Sequence, residues 1–164
     1  MILQWAEKTT SLCKGIDVAS VVGLLLDKED IRSTVEARRI FSKFPSLECV
    51  WTGASLKESF EVDHVIPFDL WHNNDAWNLL PASKAANSKK SDKLPSPELL
   101  RHSKERVIGY WELLVAFEDV KFFREAESLL VLPRENWQAP LYGQLCSAIE
   151  MTALQRGVAR WPLQ

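Results

Sequence analysis

The stretch FEVDHVIPF, Phe60 to Phe68, limits the folds open to this chain more than any other. It is β-branched and apolar, and Pro67 closes it, as expected of a strand buried over most of its surface. Two ionisable residues, Asp63 and His64, sit within it. The polar loop Asp69 to Trp77 follows, with a turn-forming Asn73-Asn74-Asp75, and Asn78 to Leu80 then reads as a second strand stopped by Pro81. The two strands are expected to pair as an antiparallel hairpin with a long connection. Upstream, Cys49 to Trp51 is a short apolar run ending in the turn signal Thr52-Gly53.

The remaining sequence has helical periodicity. Ile16, Ala19, Val21, Val22 and Leu24 to Leu26 form an apolar cluster that Asp17 is placed to start. A helix is expected from Asp30 to Phe44, with Ile31, Val35, Ile40, Phe41 and Phe44 inside and Arg32, Arg38, Arg39 and Lys43 outside. Ser83 is placed to cap a short helix that carries Ala85, Ala86, Asn87 and Lys90. Ser96-Pro97-Glu98 opens a long helix through Leu99, Val107, Trp111 and Phe117, continuing after a bend to Leu130 and ending at Pro133. The last helix, Leu141 to Gln155, places Leu145, Ile149 and Leu154 on one face and Gly157 just past its end.

At 164 residues and 46% apolar composition, one domain over 1–164 is expected. It divides into a helical N-terminal scaffold (1–48), a core (49–96) and a helical C-terminal scaffold (97–164). No run approaches the ~18 apolar residues of a membrane span. MILQWAEKTT lacks the order of a signal peptide, so a soluble cytoplasmic protein is expected. Cys13, Cys49 and Cys146 are odd in number and form no CxxC pair, which points to free thiols and away from a disulfide framework or cysteine-rich zinc site. The net charge of -2 conceals a pattern: residues 49–82 carry one basic and five acidic groups, and residues 83–106 carry seven basic and three acidic. A basic stretch directly after a carboxylate cluster suits an anionic polymer held beside a metal, although a solvated helix face explains the lysines alone equally well.

Asp63 and Asn87 are oxygen donors that converge on one hard cation if the hairpin packs on the following helix. His64 is then the natural general base, because a neutral imidazole is well populated near pH 7. Neighbours on a strand point to opposite faces, so Asp63 and His64 share a site only if the strand ends or twists there. His72 and His102 read as surface groups. The tryptophans read as core and hairpin support, with Trp71 close enough to the loop to meet a substrate.

VDHVIP, then WNLLP, then NSKKSDKLPS together resemble the HNH endonucleases, in the HNN variant found in RNA-guided CRISPR nucleases and free-standing bacterial proteins. The resemblance covers about 48 residues and implies an α+β fold, mainly helical, built around a ββα-metal hairpin-helix core. It implies that Asp63 and Asn87 hold Mg²⁺ or Mn²⁺ and that His64 activates water. It further implies that Asn78 orients the base or braces the hairpin, and that Lys90 faces the phosphate or leaving group. Lys84, Lys89 and Lys93 are the corresponding nucleic-acid contacts, with DNA, double-stranded, as the partner. Many family members hold the hairpin with a zinc on two CxxC pairs. Here no structural zinc is expected, and packing by Val50, Trp51, Phe60, Phe68, Trp71 and Trp77 replaces it. Two alternatives stand beside an active endonuclease. One is a nucleic-acid-binding or assembly module on a non-catalytic HNH fold. The other is the nuclease module of a larger RNA-guided or phage-defence complex, with a recruiting protein or ribonucleoprotein.

Overall fold

Two four-residue strands, β3 (Glu61–His64) and β4 (Leu79–Ala82), pair antiparallel at the centre of the fold, with Asp63 opposite Leu80 and His64 opposite Leu79. The computed structural model describes residues 7, 8, 10, 17, 18, 31–56, 59–129 and 135–163. They fall into two compact units, Met1–Ile31 and Arg32–Gln164. In the first, Glu7, Lys8, Thr10 and Val18 are helical, and the Thr10 hydroxyl donates to the Glu7 carbonyl at 2.9 Å. The apolar cluster expected to form a helix there, apart from Asp17, lies outside the described residues, as do Cys13 and the segment from Leu130 to Pro133.

The second unit begins with α1 (Val35–Phe41), shorter than the expected helix from Asp30 to Phe44. Ala37, Ile40 and Phe41 are buried, whereas Ile31 and Val35 are exposed, so the inward stripe starts one turn later than the apolar pattern suggested. Arg38 faces solvent as expected, and its guanidinium donates to the Phe60 carbonyl at 2.7 Å and lies over the Phe60 ring. The turn at residues 50–53 joins β1 (Leu47–Glu48) to β2 (Ser55–Leu56), with Val50 and Trp51 buried.

The strand expected over 60–68 ends at His64. Val65 and Ile66 remain buried, but Pro67 caps a short helix, α2 (Phe68–Trp71), inside the stretch expected to be loop. Asn78 belongs to a 3₁₀ turn, Ala76–Asn78, and β4 begins after it. Pro81 lies within β4 rather than ending it. Val65 N–H donates to the Asn78 carbonyl at 2.8 Å, which marks a hydrogen-bonded pair. Alternation along the ladder then makes Val62–Pro81 a non-bonded pair, where a missing N–H removes nothing. The outward carbonyl of Pro81 accepts Val50 N–H at 2.9 Å.

Local capping signals give the helices their expected starts. The Ser83 hydroxyl accepts Ala86 N–H at the start of α3 (Lys84–Lys90), and Ser96 accepts Leu99 N–H at the start of α4 (Pro97–Ala126). α4 is broken at Glu118 (φ -147°, ψ 65°), which is the expected bend. α5 (Gln138–Arg156) ends on Gly157 in the left-handed region, φ 63°. It buries Leu141, Tyr142, Leu145, Ile149 and Thr152 and exposes Leu154. A short parallel pair, β5 (Leu94–Pro95) with β6 (Arg160–Trp161), has no counterpart in the sequence reading.

Helix α4 anchors the strands through single polar contacts. The Tyr110 hydroxyl donates to the Glu48 carbonyl at 2.6 Å and accepts the Glu48 N–H at 2.8 Å. The Trp111 indole donates to the Trp77 carbonyl at 2.9 Å, and Glu125 accepts Ala76 N–H at 2.8 Å. The Arg106 guanidinium donates to the Val50 carbonyl at 2.8 Å. Burial without such partners would leave these backbone groups unsatisfied. Among the described residues no helix is long and apolar enough to cross a membrane.

Gly53 sits at φ 72° in the 50–53 turn, and an added Cβ would meet the Arg106 guanidinium at 3.4 Å, an ordinary contact. Gly53→Ala is therefore expected to lose about 1–2 kcal/mol through left-handed backbone strain alone. Urea unfolding should show a lower midpoint with an unchanged slope.

Candidate active site

Strand β3 presents Glu61 and Asp63 on one face and Val62 and His64 on the other. α3 lies along the Glu61/Asp63 face, and its one-turn spacing sets Asn87 against Glu61 and Lys90 against Asp63. Asp63 is 2% exposed and Lys90 is fully buried. The Lys90 ammonium donates to Asp63 Oδ1 at 3.2 Å and to the His64 carbonyl at 2.6 Å, and lies over the Trp51 ring. The second carboxylate oxygen of Asp63 accepts the Trp51 indole N–H at 2.7 Å. Burial pushes the Asp63 carboxyl above its ordinary range and the Lys90 ammonium below its own, and the attraction between them opposes both shifts.

His64 is 2% exposed and packs edge-on against Phe68, with ring centroids 5.7 Å apart. Its Nε2 lies 3.2 Å from Asn74 Oδ1, and the same oxygen accepts Ser33 N–H at 2.9 Å. Its Nδ1 is buried and, among the described residues, meets no donor or acceptor. Burial pulls the imidazole pKa down to about 4, helped by the positive charges of Arg32 and Lys90 and opposed by the bond to Asn74. The ring is neutral at pH 7.

Asn78 braces the hairpin, and its side-chain hydrogen bonds go to backbone groups rather than to His64. Its Oδ1 accepts Ile66 N–H at 2.8 Å and its Nδ2 donates to the Ile66 carbonyl at 3.0 Å, closing the backbone just beyond β3. Lys84 and Lys89 are exposed on α3, and Lys93 donates to the Lys89 carbonyl at 3.1 Å. Of the seven basic groups in 83–106, Lys90 and Arg106 are engaged internally, so the solvent-facing excess is smaller than the sequence count. His72 and His102 are exposed. The indole N–H of Trp71 donates to the Thr152 hydroxyl at 3.0 Å, which ties that ring to α5.

An open cleft of about 250 Å³ lies beside this cluster, lined by Arg32, Pro67, Phe68, Asp69, Asn87, Ser88, Ser91 and Asp92. Asn87 and Phe68 connect it to the Asp63–His64 strand. Sequence reasoning missed two residues here. Arg32 precedes α1 and had no signal beyond its charge. Asn74 had a turn signal but nothing that pointed to His64.

The donors expected to hold a divalent ion do not fit one in this arrangement. The Lys90 ammonium occupies Asp63, Asn87 is hydrogen-bonded to Glu61, and the two do not share a partner. A cation placed against Asp63 would face a buried like charge. Among the described residues no three His, Cys, Asp or Glu side chains group to hold a metal.

Residues 49–96, 48 of the 164, match the family model described as HNH endonuclease. No curated protein matches the chain.

Lys90→Ala is expected to cost about 3–5 kcal/mol, because it leaves a buried, uncompensated carboxylate. The paired change Asp63→Leu with Lys90→Met should recover most of that loss in urea unfolding, since it removes both charges and keeps apolar volume. Equal destabilisation by the single and paired variants would show that the ion pair is not the source.

Proposed function

Residues 49–96 are an HNH endonuclease segment, and on that premise we propose that this protein hydrolyses DNA phosphodiester bonds with His64 as general base. The observation that carries the reading is the buried His64 ring, whose Nδ1 has no partner among the described residues, on a strand that ends beside an open polar cleft. A water held there gives a proton to Nδ1 while its oxygen bonds to phosphorus. The phosphorus–oxygen bond to the leaving sugar breaks, that oxygen takes up a proton from solvent water, and His64 returns its proton to solvent. His64 is buried and packs edge-on against Phe68, which lines the cleft, so the polymer stays in the cleft and a water must enter to reach the ring.

Arg32, Asn87, Ser88 and Ser91 supply the cleft's donors, while Asp69 and Asp92 on the same rim offset its charge. The phosphate is thus held by placed donors rather than by net charge. Nucleases of this family generally use a divalent metal, and Mg²⁺ or Mn²⁺ is the expected ion. Asp63, paired with Lys90, takes no part in these steps. Double-stranded DNA, recruited alone or through a partner complex, is the proposed substrate.

The buried Asp63–Lys90 pair favours a second reading, a nucleic-acid-binding or assembly module on the same fold. Incubating supercoiled plasmid with Mg²⁺ or Mn²⁺ separates the two. Nicking or linearisation that falls by about 10²–10⁴-fold in His64→Ala, with the fold retained by circular dichroism, is the expected result. Absence of cleavage by the wild-type protein would leave the binding module. Arg32→Ala should keep the fold, weaken DNA binding and flatten its salt dependence by about one ion, read by fluorescence anisotropy.

A further inference from the structure

The carboxamide of Asn74 lies between two parts of the second unit that are far apart in sequence. Its Oδ1 accepts Ser33 N–H at 2.9 Å and stands 3.2 Å from His64 Nε2. Ser33 N–H is a donor only, so the oxygen is correctly placed as acceptor on that side. An acceptor oxygen meets an imidazole nitrogen favourably only if that nitrogen carries the proton. The two donors together use both lone pairs of the amide oxygen. In the neutral ring the proton is then on Nε2, and Nδ1, buried and without a partner among the described residues, keeps its lone pair.

We propose that Asn74 is a positioning residue for His64. Its side-chain oxygen fixes the Nε2–H tautomer, leaves Nδ1 as the proton acceptor, and ties the segment bearing Arg32 to the same ring. The role of Nδ1 as a base rests on the nuclease reading above, whereas the tautomer does not. The Asn78 side chain is committed to both backbone groups of Ile66 and does not perform this task. Phe68, edge-on to the imidazole, restricts the ring plane but has no polar atom to choose between its nitrogens. Asn74 is thus the side chain that the structure shows bonded to His64, and it arises from a loop whose sequence suggested only a turn.

Two variants test this. Asn74→Ala removes the acceptor. Asn74→Asp keeps an acceptor oxygen at the same place. Heteronuclear NMR of ¹⁵N-histidine-labelled protein reads the tautomer of His64 directly, and steady-state cleavage of DNA reads its consequence. Wild type and Asn74→Asp should show the Nε2–H form. Asn74→Ala should show a mixture, with kcat at least about tenfold lower, inside the ~10²–10⁴-fold that a general base contributes, and KM little changed. A merely structural Asn74 would move the melting temperature without altering the tautomer, and that result would overturn the proposal. So would an Asn74→Asp protein that is folded but carries the mixed tautomer. If wild type cleaves no DNA yet the tautomer follows the variants as expected, the nuclease reading fails and the positioning role stands.

Discussion

The Lys90 ammonium is where helix, strand and loop meet. From the C-terminal turn of α3 it reaches the Asp63 carboxylate and the His64 carbonyl, and the indole that closes the other side of Asp63 comes from the β1–β2 turn. Three segments are fixed by one buried charge and its partner. Taking both ions out of water is costly, so the arrangement persists because every polar atom in it has a mate. It also sets the chemistry. By holding the His64 carbonyl, Lys90 fixes the end of β3 and hence the direction of the imidazole. By occupying Asp63, it turns an expected metal ligand into half of an ion pair.

The helices around this centre serve it in specific ways. Tyr110 and Arg106 of α4 satisfy carbonyls on the β1–β2 hairpin, Trp111 and Glu125 hold the 3₁₀ turn that precedes β4, and Tyr142 of α5 donates to the Leu100 carbonyl at 2.6 Å. A four-residue strand pair is too short to be stable in water by itself, and two-stranded ribbons generally need a packed partner. The long helix supplies that partner and, in the same contacts, pins the backbone just before Asn78. The cleft opens where the segment before α1 and the C-terminal end of α3 come together.

Local signals were legible from sequence. Ser83 and Ser96 cap the helices they precede and Gly157 ends α5, because each of these interactions spans only a few residues. Apolar pattern was less dependable at element ends. Val35 and Leu154 fit the periodicity yet face solvent, since which turn of a helix is covered depends on the neighbour that packs there. Pro81 read as a stop and proved to be a strand residue, because only the pairing phase reveals that its missing N–H would have pointed away from β3.

For the site, the order and spacing of Asp63, His64, Asn78, Asn87 and Lys90 determined which segment mattered, and that segment, 49–96, is the one that matches the HNH endonuclease family model. Spacing along a chain gives which residues share a helical turn or fall on opposite strand faces, as it did for Asn87 with Lys90 and for Asp63 against His64. Tertiary structure alone decided what each side chain touches. Lys90 turned inward to Asp63, Asn78 took the Ile66 backbone, and Asn74 and Ser33, 41 residues apart, came together beside His64. The physical reason is that buried polar groups must find partners wherever the packed backbone presents them, and no local pattern in the sequence encodes that meeting.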